Sequence, residues 1–421
     1  MKSSRLPKIV FRVVSDPRVV FLIAFGARLR VLSQLLPANA WRYFYQYNEP
    51  SHIAWAVVSG FGYSSPWPHT PVAATAQQPP LYPLLLAAIF KLAGTYSDLS
   101  LWIALGLNAF FSALTAVLIL RLGKRDFGVA TGILAAWVWS CWPYEAVVSI
   151  RLWESSLSAL LLIIGMLLVP QLTDSLGASR WLFLGALAGI AALTNTALLA
   201  VFLFFWLWLW AGYHRRGRSC FRMLSASIAI CVLTLLPWTI RNYTAFHRVM
   251  PVRDNFGLEL WVGLELGAGR SEPVVAQPFP RDFPLSDPTE YNRLGEIGFM
   301  DSRRQMALNF IRQHPREYLQ MVATRCFKYW TEPLGTSWLP LSLLAWLGMC
   351  LAVRRKGFEA ALYPVVLVVF PLVYYITHTF PTYRHPIETV ILLLAAHAVV
   401  RVAQALARKL VRSEPGSTSP A

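Results

Sequence analysis

Glu49 stands immediately before Pro50 in the string YQYNEPSHIAWAVVSGFGYSSP. Proline is favoured at the first position of a helix, so Glu49 is predicted at a helix N-terminus, where the helix dipole favours the carboxylate form. A carboxylate held there can accept a hydrogen bond or a proton. His52 follows one turn on and can face the same way; the plain alternative for the pair is a helix cap beside a surface histidine. A second carboxylate, Glu154 in RLWESSLSALL, heads an apolar run. It is placed to orient a substrate, to share a proton with Glu49 or to join it around a metal ion, with pairing to Arg151 as the structural alternative. Arginine supplies the opposite charge, because its planar fork of donors matches phosphate oxygens. Arg384, beside His385 in TYRHPIETVILLL, is the first candidate, since an unpaired charge at the mouth of an apolar helix is costly and points to function. Arg241 in LPWTIRNY is the second, with snorkelling from a helix end as its alternative. Arg28 and Arg30 sit inside the first apolar block, and one or both are expected to face inward. For a metal, Glu49, His52, His69 and Glu154 have suitable donor atoms but no tight spacing such as HExxH. No metal ligand is assigned, and a divalent ion stays open as a cofactor.

The elements that must carry these residues are membrane helices. Of the 421 residues, 56% are hydrophobic and 14% charged, against roughly 25% charged in soluble proteins, which argues against a water-soluble enzyme. The apolar residues fall into blocks long enough for a bilayer core of roughly 30 Å, at 18–36, 99–120, 127–143, 154–170, 181–195, 197–212, 221–237, 336–353, 359–376 and 386–404. The block 181–212 is divided at Thr194-Asn195-Thr196, because a single helix of that length would overrun the bilayer. The first block reads as a retained helix and not a cleaved leader. Lys and Arg total 38 against 21 Asp and Glu, a formal net charge of +17. The basic residues gather in alternate short loops, which by the positive-inside rule places both termini in the cytoplasm. No recognition module accompanies the charge, so no nucleic-acid partner is expected. The five cysteines show no metal-type spacing and no disulfide framework.

The predicted organisation is a basic cytoplasmic tail (1–17), a transmembrane core with a first outer loop (18–237, loop 37–98), a periplasmic lid domain (238–335), C-terminal membrane helices (336–404) and a disordered cytoplasmic tail (405–421). The two long polar segments share the outer face and can enclose a chamber. Residues 81–94 are apolar but too short to span, and read as a helix lying in the interface. The lid is expected to be helical from about 288 to 325 and to exclude water, with Arg253, Asn255 and Trp261 at its start as substrate contacts, the tryptophan by stacking. Asn242-Tyr243-Thr244 fits a glycosylation sequon, a pattern too short to carry weight.

In their order along the chain, these strings resemble the GT-C superfamily of membrane glycosyltransferases, in particular the branch of bacterial aminoarabinose transferases and protein O-mannosyltransferases. Glu49 occupies the essential acidic position of the first outer loop, Gly60-Phe61-Gly62-Tyr63 its turn, and Gln78-Pro79-Pro80-Leu81-Tyr82 the motif entering an interfacial helix. Glu154 matches a second acidic residue, Arg241-Asn242 close the seventh span, and Tyr383-Arg384-His385 open the last. Two departures stand out: Glu49 replaces the usual Asp, and Gln77-Gln78 replaces a Glu-Lys pair.

The resemblance implies an all-α polytopic membrane protein of about ten transmembrane helices, GT-C-type, with interfacial helices in the first outer loop and a small outer-face domain. It also implies an inverting glycosyltransferase of the bacterial inner membrane. The partners would be a polyprenyl-phosphate-linked sugar donor and a lipid, glycan or protein acceptor, met at the outer face. Glu49 and Glu154 would be the catalytic pair, with His52, Gln78, Tyr82, Arg241, Asn242, Tyr383, Arg384 and His385 as substrate contacts. A lipid phosphate is a competent leaving group, so one carboxylate acting as base suffices, unlike the acid and base pair of glycoside hydrolysis. A helix N-terminus weakens such a base, whereas desolvation strengthens it. A polymerase or ligase of lipid-linked glycans is the neighbouring alternative. A flippase is the alternative from another class, although transporters show matched broken helices with midplane charges and here the polar residues cluster at span ends.

Overall fold

A computed structural model of the chain describes residues 5–35, 48–65, 72–265, 288–332 and 338–413. The aromatic string 41–47, His69, most of the Arg- and Pro-rich stretch 270–288 and the tail 414–421 lie outside the described residues. The helices are α1 (Arg5–Val14), α2 (Pro17–Leu35), α3 (Glu49–Val58), α4 (Leu81–Ala93), α5 (Asp98–Asp126), α6 (Val129–Cys141), α7 (Pro143–Ser149), α8 (Ser155–Leu168) and α9 (Ala178–Thr194). They continue with α10 (Thr196–Arg215), α11 (Phe221–Phe246), α12 (Phe256–Glu265), α13 (Pro288–Gln313), α14 (Pro315–Thr331), α15 (Leu339–Lys356), α16 (Leu362–Val369), α17 (Leu372–Ile376) and α18 (His385–Ser413). An antiparallel bridge joins Ser64 to Ala74.

Helices occupy every predicted span, and the protein is an all-α, multi-pass membrane protein. Among the described residues six helical segments are long and apolar enough to cross a bilayer: Asp98–Asp126, Ser155–Leu172, Thr196–Arg215, Phe221–Phe246, Leu339–Ile376 and Pro381–Leu410. The penultimate one turns at Gly357, whose φ of 56° suits glycine, and so holds two of the predicted blocks. The shorter α6 and α9 and the arginine-bearing α2 pack among them.

Local chemistry sets the boundaries. The Ser97 side chain accepts the Ser100 N–H at 3.0 Å and starts α5. Asn195 is extended (φ −149°, ψ 116°), which ends α9, and its side chain accepts the Ala197 N–H at 3.0 Å, which starts α10. The polar break predicted at Thr194-Asn195-Thr196 is therefore a cap shared between two helices. The lid helix predicted at 288–325 is two helices, α13 and α14, separated at His314-Pro315, where proline begins the second.

A continuous apolar core runs through the bundle. A second cluster, including Ala54, Tyr82, Leu86, Phe90, Leu105 and Ile150, fixes the first outer segment on top of α5. In the segment predicted as the lid, α12 packs on α13 through Leu258, Val262, Phe299 and Met300. The two outer segments touch: the Asp254 N–H donates to the Ala76 carbonyl at 3.1 Å, and the Ala76 N–H donates to Glu296 at 2.6 Å. Glu296 is buried, which pushes its carboxyl up to about 7 despite the Ala76 donor.

Helix approach is closest where glycine removes the side chain. A Cβ on Gly348 of α15 would lie 1.9 Å from the Leu394 carbonyl oxygen of α18, and one on Gly185 would lie 2.1 Å from the Ser227 carbonyl oxygen of α11. Gly348→Ala is therefore expected to cost about 1–3 kcal/mol. A melting temperature several degrees lower in detergent checks it; an unchanged one would show that α15 and α18 can move apart freely.

Candidate active site

Five elements converge at one end of the bundle: the start of α3, the N-terminal ends of α8 and α10, helix α12 and the connection from α17 to α18. They enclose a cavity of about 270 Å³ into which Glu49, Gln78, Glu154, Asn195, Arg253 and Tyr383 project. Of the sequence-predicted residues it thus unites Glu49, Glu154, Gln78 and Tyr383. It adds Arg253 and Asn255 from the start of the lid.

Glu49 begins α3, and Pro50 occupies the next position, as its sequence neighbours predict. The Gln78 amide donates a very short hydrogen bond to its Oε2. Gln78 is itself held from behind. Gly60 and Gly62 adopt φ of 87° and 70°, a turn open to glycine at no steric cost. That turn buries Tyr63, whose hydroxyl donates to the Gln78 carbonyl at 2.8 Å. Arg241 locks the same turn, donating to the Tyr63 carbonyl and, at 2.6 Å, to the Thr75 carbonyl, with its guanidinium 4.9 Å from the Trp238 ring.

Glu154 lies just ahead of the span Ser155–Leu172 and accepts from the Asn195 amide at 3.3 Å. No ion pair with Arg151 forms among the described residues. Burial pushes its carboxyl up to about 7, and the negative charge of Glu49 acts the same way, against Arg253 and the Asn195 bond. The two carboxyls thus feel each other across the cavity.

Opposite them sits a group that sequence reasoning assigned only in part. Arg253 donates to Glu259 at 2.8 Å, and the Asn255 amide donates to the same oxygen. His378 Nδ1 lies 3.4 Å from the other Glu259 oxygen, and its Nε2 lies 3.2 Å from the Tyr383 hydroxyl. Burial holds the His378 pKa below its ordinary value, so the ring is neutral at pH 7. The Tyr383 ring packs tilted against Tyr374, with centroids 4.8 Å apart. His378 had a legible signal, being a histidine just outside an apolar block, as Glu154 is. Glu259 has Arg253 and Asn255 six and four residues before it, whereas His378 comes from a distant part of the chain.

The remaining predicted contacts lie elsewhere. Arg384, expected to bind phosphate, is fully buried behind the cavity wall. It forms a very short ion pair with Glu388 and donates to Ser342 at 3.1 Å and to the Tyr329 carbonyl at 3.2 Å. His385 is equally buried, 2.8 Å from Glu145 and stacked on Trp139. Asn242 donates to the Met250 and Val252 carbonyls from a fully buried position, which also closes it to glycosylation. Tyr82 is a core residue whose hydroxyl accepts from Asn108 at 2.7 Å. His52 packs on Trp55 outside the cavity wall. Trp261 lies under Arg303, at 4.7 Å. Arg28 faces inward as expected, but it closes the end of α6 by donating to the Trp139 and Ser140 carbonyls at 2.9 and 3.0 Å. Among the described residues no three His, Cys, Asp or Glu are grouped to hold a metal ion.

No protein-family model and no curated protein matches the sequence. Solved structures do. The apo oligosaccharyltransferase of Archaeoglobus fulgidus superposes with a TM-score of 0.56 at 15% identity, over 96% of this chain and 53% of that one. ArnT from Cupriavidus metallidurans, bound to undecaprenyl phosphate, gives 0.50 at 12% identity, over 97% and 63%. The chain has the GT-C fold. It spans about half the length of the oligosaccharyltransferase and under two thirds of ArnT. The oligosaccharyltransferase AglB from Archaeoglobus fulgidus, in complex with an inhibitory peptide and a dolichol-phosphate, gives 0.55 at 13% identity, over 99% and 53%.

Two outcomes follow from this geometry. Removing one partner of a buried ion pair costs about 3–5 kcal/mol, so Arg384→Met should unfold at clearly lower temperature and the double variant Arg384→Met/Glu388→Met should recover. A single variant of normal stability would show that the pair is not structural. For Glu154 the folded pKa lies above the unfolded value of 4.5. Its contribution to stability is then largest below pH 4.5 and falls as pH rises towards 7. Glu154→Gln should flatten that part of the melting-temperature profile, with Glu296→Gln removing a further part; an unchanged slope in both would place these carboxyls in water.

Proposed function

We propose that the chain is an inverting glycosyltransferase that moves a sugar from a polyprenyl-phosphate donor to an acceptor hydroxyl at the outer face of a bacterial inner membrane. The observation that carries this reading is the pairing of Glu49 and Glu154 across one cavity that also holds Arg253. The undecaprenyl phosphate and dolichol-phosphate in the structures of similar fold support the donor class.

The chemistry divides among the residues. Glu49 is the base, kept as a carboxylate by the Gln78 amide and the start of α3. It takes the proton of the acceptor hydroxyl while that oxygen attacks the anomeric carbon from the face opposite the phosphate. The carbon–oxygen bond to phosphate breaks, the phosphate leaves with the electron pair, and configuration inverts. Arg253 is the positive group for the departing phosphate in place of Arg384, held ready by Glu259 and Asn255. Glu154, part-protonated near pH 7, is suited to donate a hydrogen bond to a sugar or acceptor oxygen, and Tyr383 with Tyr374 offers a face for the ring. The acceptor is a lipid, glycan or protein hydroxyl. Arg241 and Tyr63 position Glu49 through Gln78 and touch no substrate.

General-base removal costs about 10²- to 10⁴-fold. With wild-type protein in lipid and a panel of polyprenyl-phosphate sugars, Glu49→Gln should lower the kcat for release of polyprenyl phosphate by that factor at unchanged melting temperature. Arg253→Ala should raise KM for the donor as well. Full turnover in Glu49→Gln would remove it as the base, and absence of release from every donor and acceptor tried would contradict the reading as a whole.

A further inference from the structure

A second cavity, of about 500 Å³, lies at the other end of the same helices. The active-site cavity takes residues from the starts of α8 and α10; this one takes Met166 from the end of α8, and Gly212 and Arg215 from the end of α10. A twenty-residue helix such as α10 is about 30 Å long, so a bilayer thickness separates the two. Residues from the end of α5 and the turn between α15 and α16 complete the wall.

Four cations and three carboxylates line it, and they are not equivalent. Arg125 pairs with Asp126 at 2.7 Å and donates to the Met166 and Leu167 carbonyls. Arg216 pairs with Asp174 at 2.6 Å and donates to the Thr173 carbonyl. The Tyr363 hydroxyl adds a further bond to Asp126. Arg215 and Lys356 remain, and among the described residues neither meets a carboxylate within ion-pair distance. Their partners are rings: Arg215 stands 4.5 Å from Phe358, and Lys356 stands 5.8 Å from Phe127. Glu359 is the third carboxylate, and it is exposed at the rim. The wall behind the two cations is the stack of Trp208 on Phe358, with ring centroids 5.2 Å apart and planes at 5°.

We propose that this cavity holds the phosphate headgroup of an anionic phospholipid from the leaflet opposite the active site, with Arg215 and Lys356 as its charge partners. Two cations without carboxylates beside an apolar wall fit a ligand that is anionic at one end and apolar at the other. The position fits as well, since basic pockets between membrane helices are where anionic headgroups are read, and aromatic residues favour the interfacial depth. A free phosphate ion would meet the same cations but leave the Trp208–Phe358 wall unused and most of the volume empty. The inference is independent of the glycosyltransferase reading.

The test uses the purified full chain in neutral detergent. It is titrated with short-chain phosphatidylglycerol, with phosphatidylcholine of the same chain length and with inorganic phosphate, read by native mass spectrometry and by melting temperature. Phosphatidylglycerol should bind and raise the melting temperature at concentrations at least ten-fold below those needed for phosphatidylcholine. Arg215→Gln/Lys356→Gln should weaken its binding at least ten-fold, whereas Arg408→Gln/Lys409→Gln, with the same charge removed from the exposed end of α18, should not. Equal binding of the two lipids to the wild-type protein overturns the proposal whatever the variants do. So does retention of phosphatidylglycerol affinity in the Arg215/Lys356 variant, and so does equal protection by inorganic phosphate, which would make the ligand a soluble anion.

Discussion

Arg384, in the turn before α18, forms an ion pair with Glu388 of that helix, and both are fully buried. A charge inside an apolar bundle costs several kcal/mol unless it is paired and hydrogen-bonded. The chain meets that condition repeatedly: His385 lies against Glu145, Arg28 against the carbonyl ends of α6, and Arg384 against Glu388, Ser342 and backbone carbonyls. These groups are consumed by packing. The ionisable groups that face space at this end of the bundle are the ones at helix starts and in the outer segments.

Glu49 and Glu154 owe their different characters to that division. Glu49 sits at a helix start and accepts from an amide, both of which favour its charge. Glu154 is half-buried in the cavity that Glu49 also lines, and desolvation pushes it towards neutrality. In the proposed mechanism one acid takes a proton and the other holds one, and Arg253 lines the same cavity. The outer domain is required for this, because Arg253 and Glu259 belong to it and because Glu296 and Arg241 fasten it and its root helix to the first outer segment.

Much of the architecture was legible in the sequence because apolar block length reports bilayer thickness directly. The split at Asn195 was legible for the same reason, and the carboxylates Glu49 and Glu154 were found because each heads a helix. The arginines were read less well. A charge at a span end signals either a ligand or a partner, and the choice depends on what neighbouring helices bring. For Arg384 a clue was available, since Glu388 follows at the helical spacing that makes ion pairs. For His385 it was not, because Glu145 lies far away in the chain. The Arg253–Glu259–His378 group likewise joins two segments far apart in the chain. The motif residues Tyr63, Arg241 and Asn242 turned out to hold the loop that holds Gln78, so a recognisable string marked the scaffold of the site more than its lining.

In the proposed function the phosphate of a polyprenyl-phosphate lipid lies in the cavity between Glu49, Glu154 and Arg253. An experimental structure of the protein with a polyprenyl phosphate bound, in lipid, tests this most directly. The account predicts phosphate density within hydrogen-bond distance of the Arg253 guanidinium, with Glu49 facing the anomeric position and Arg384 still paired with Glu388. Phosphate held by Arg384, or bound only in the basic cavity at the opposite end of the bundle, would contradict it.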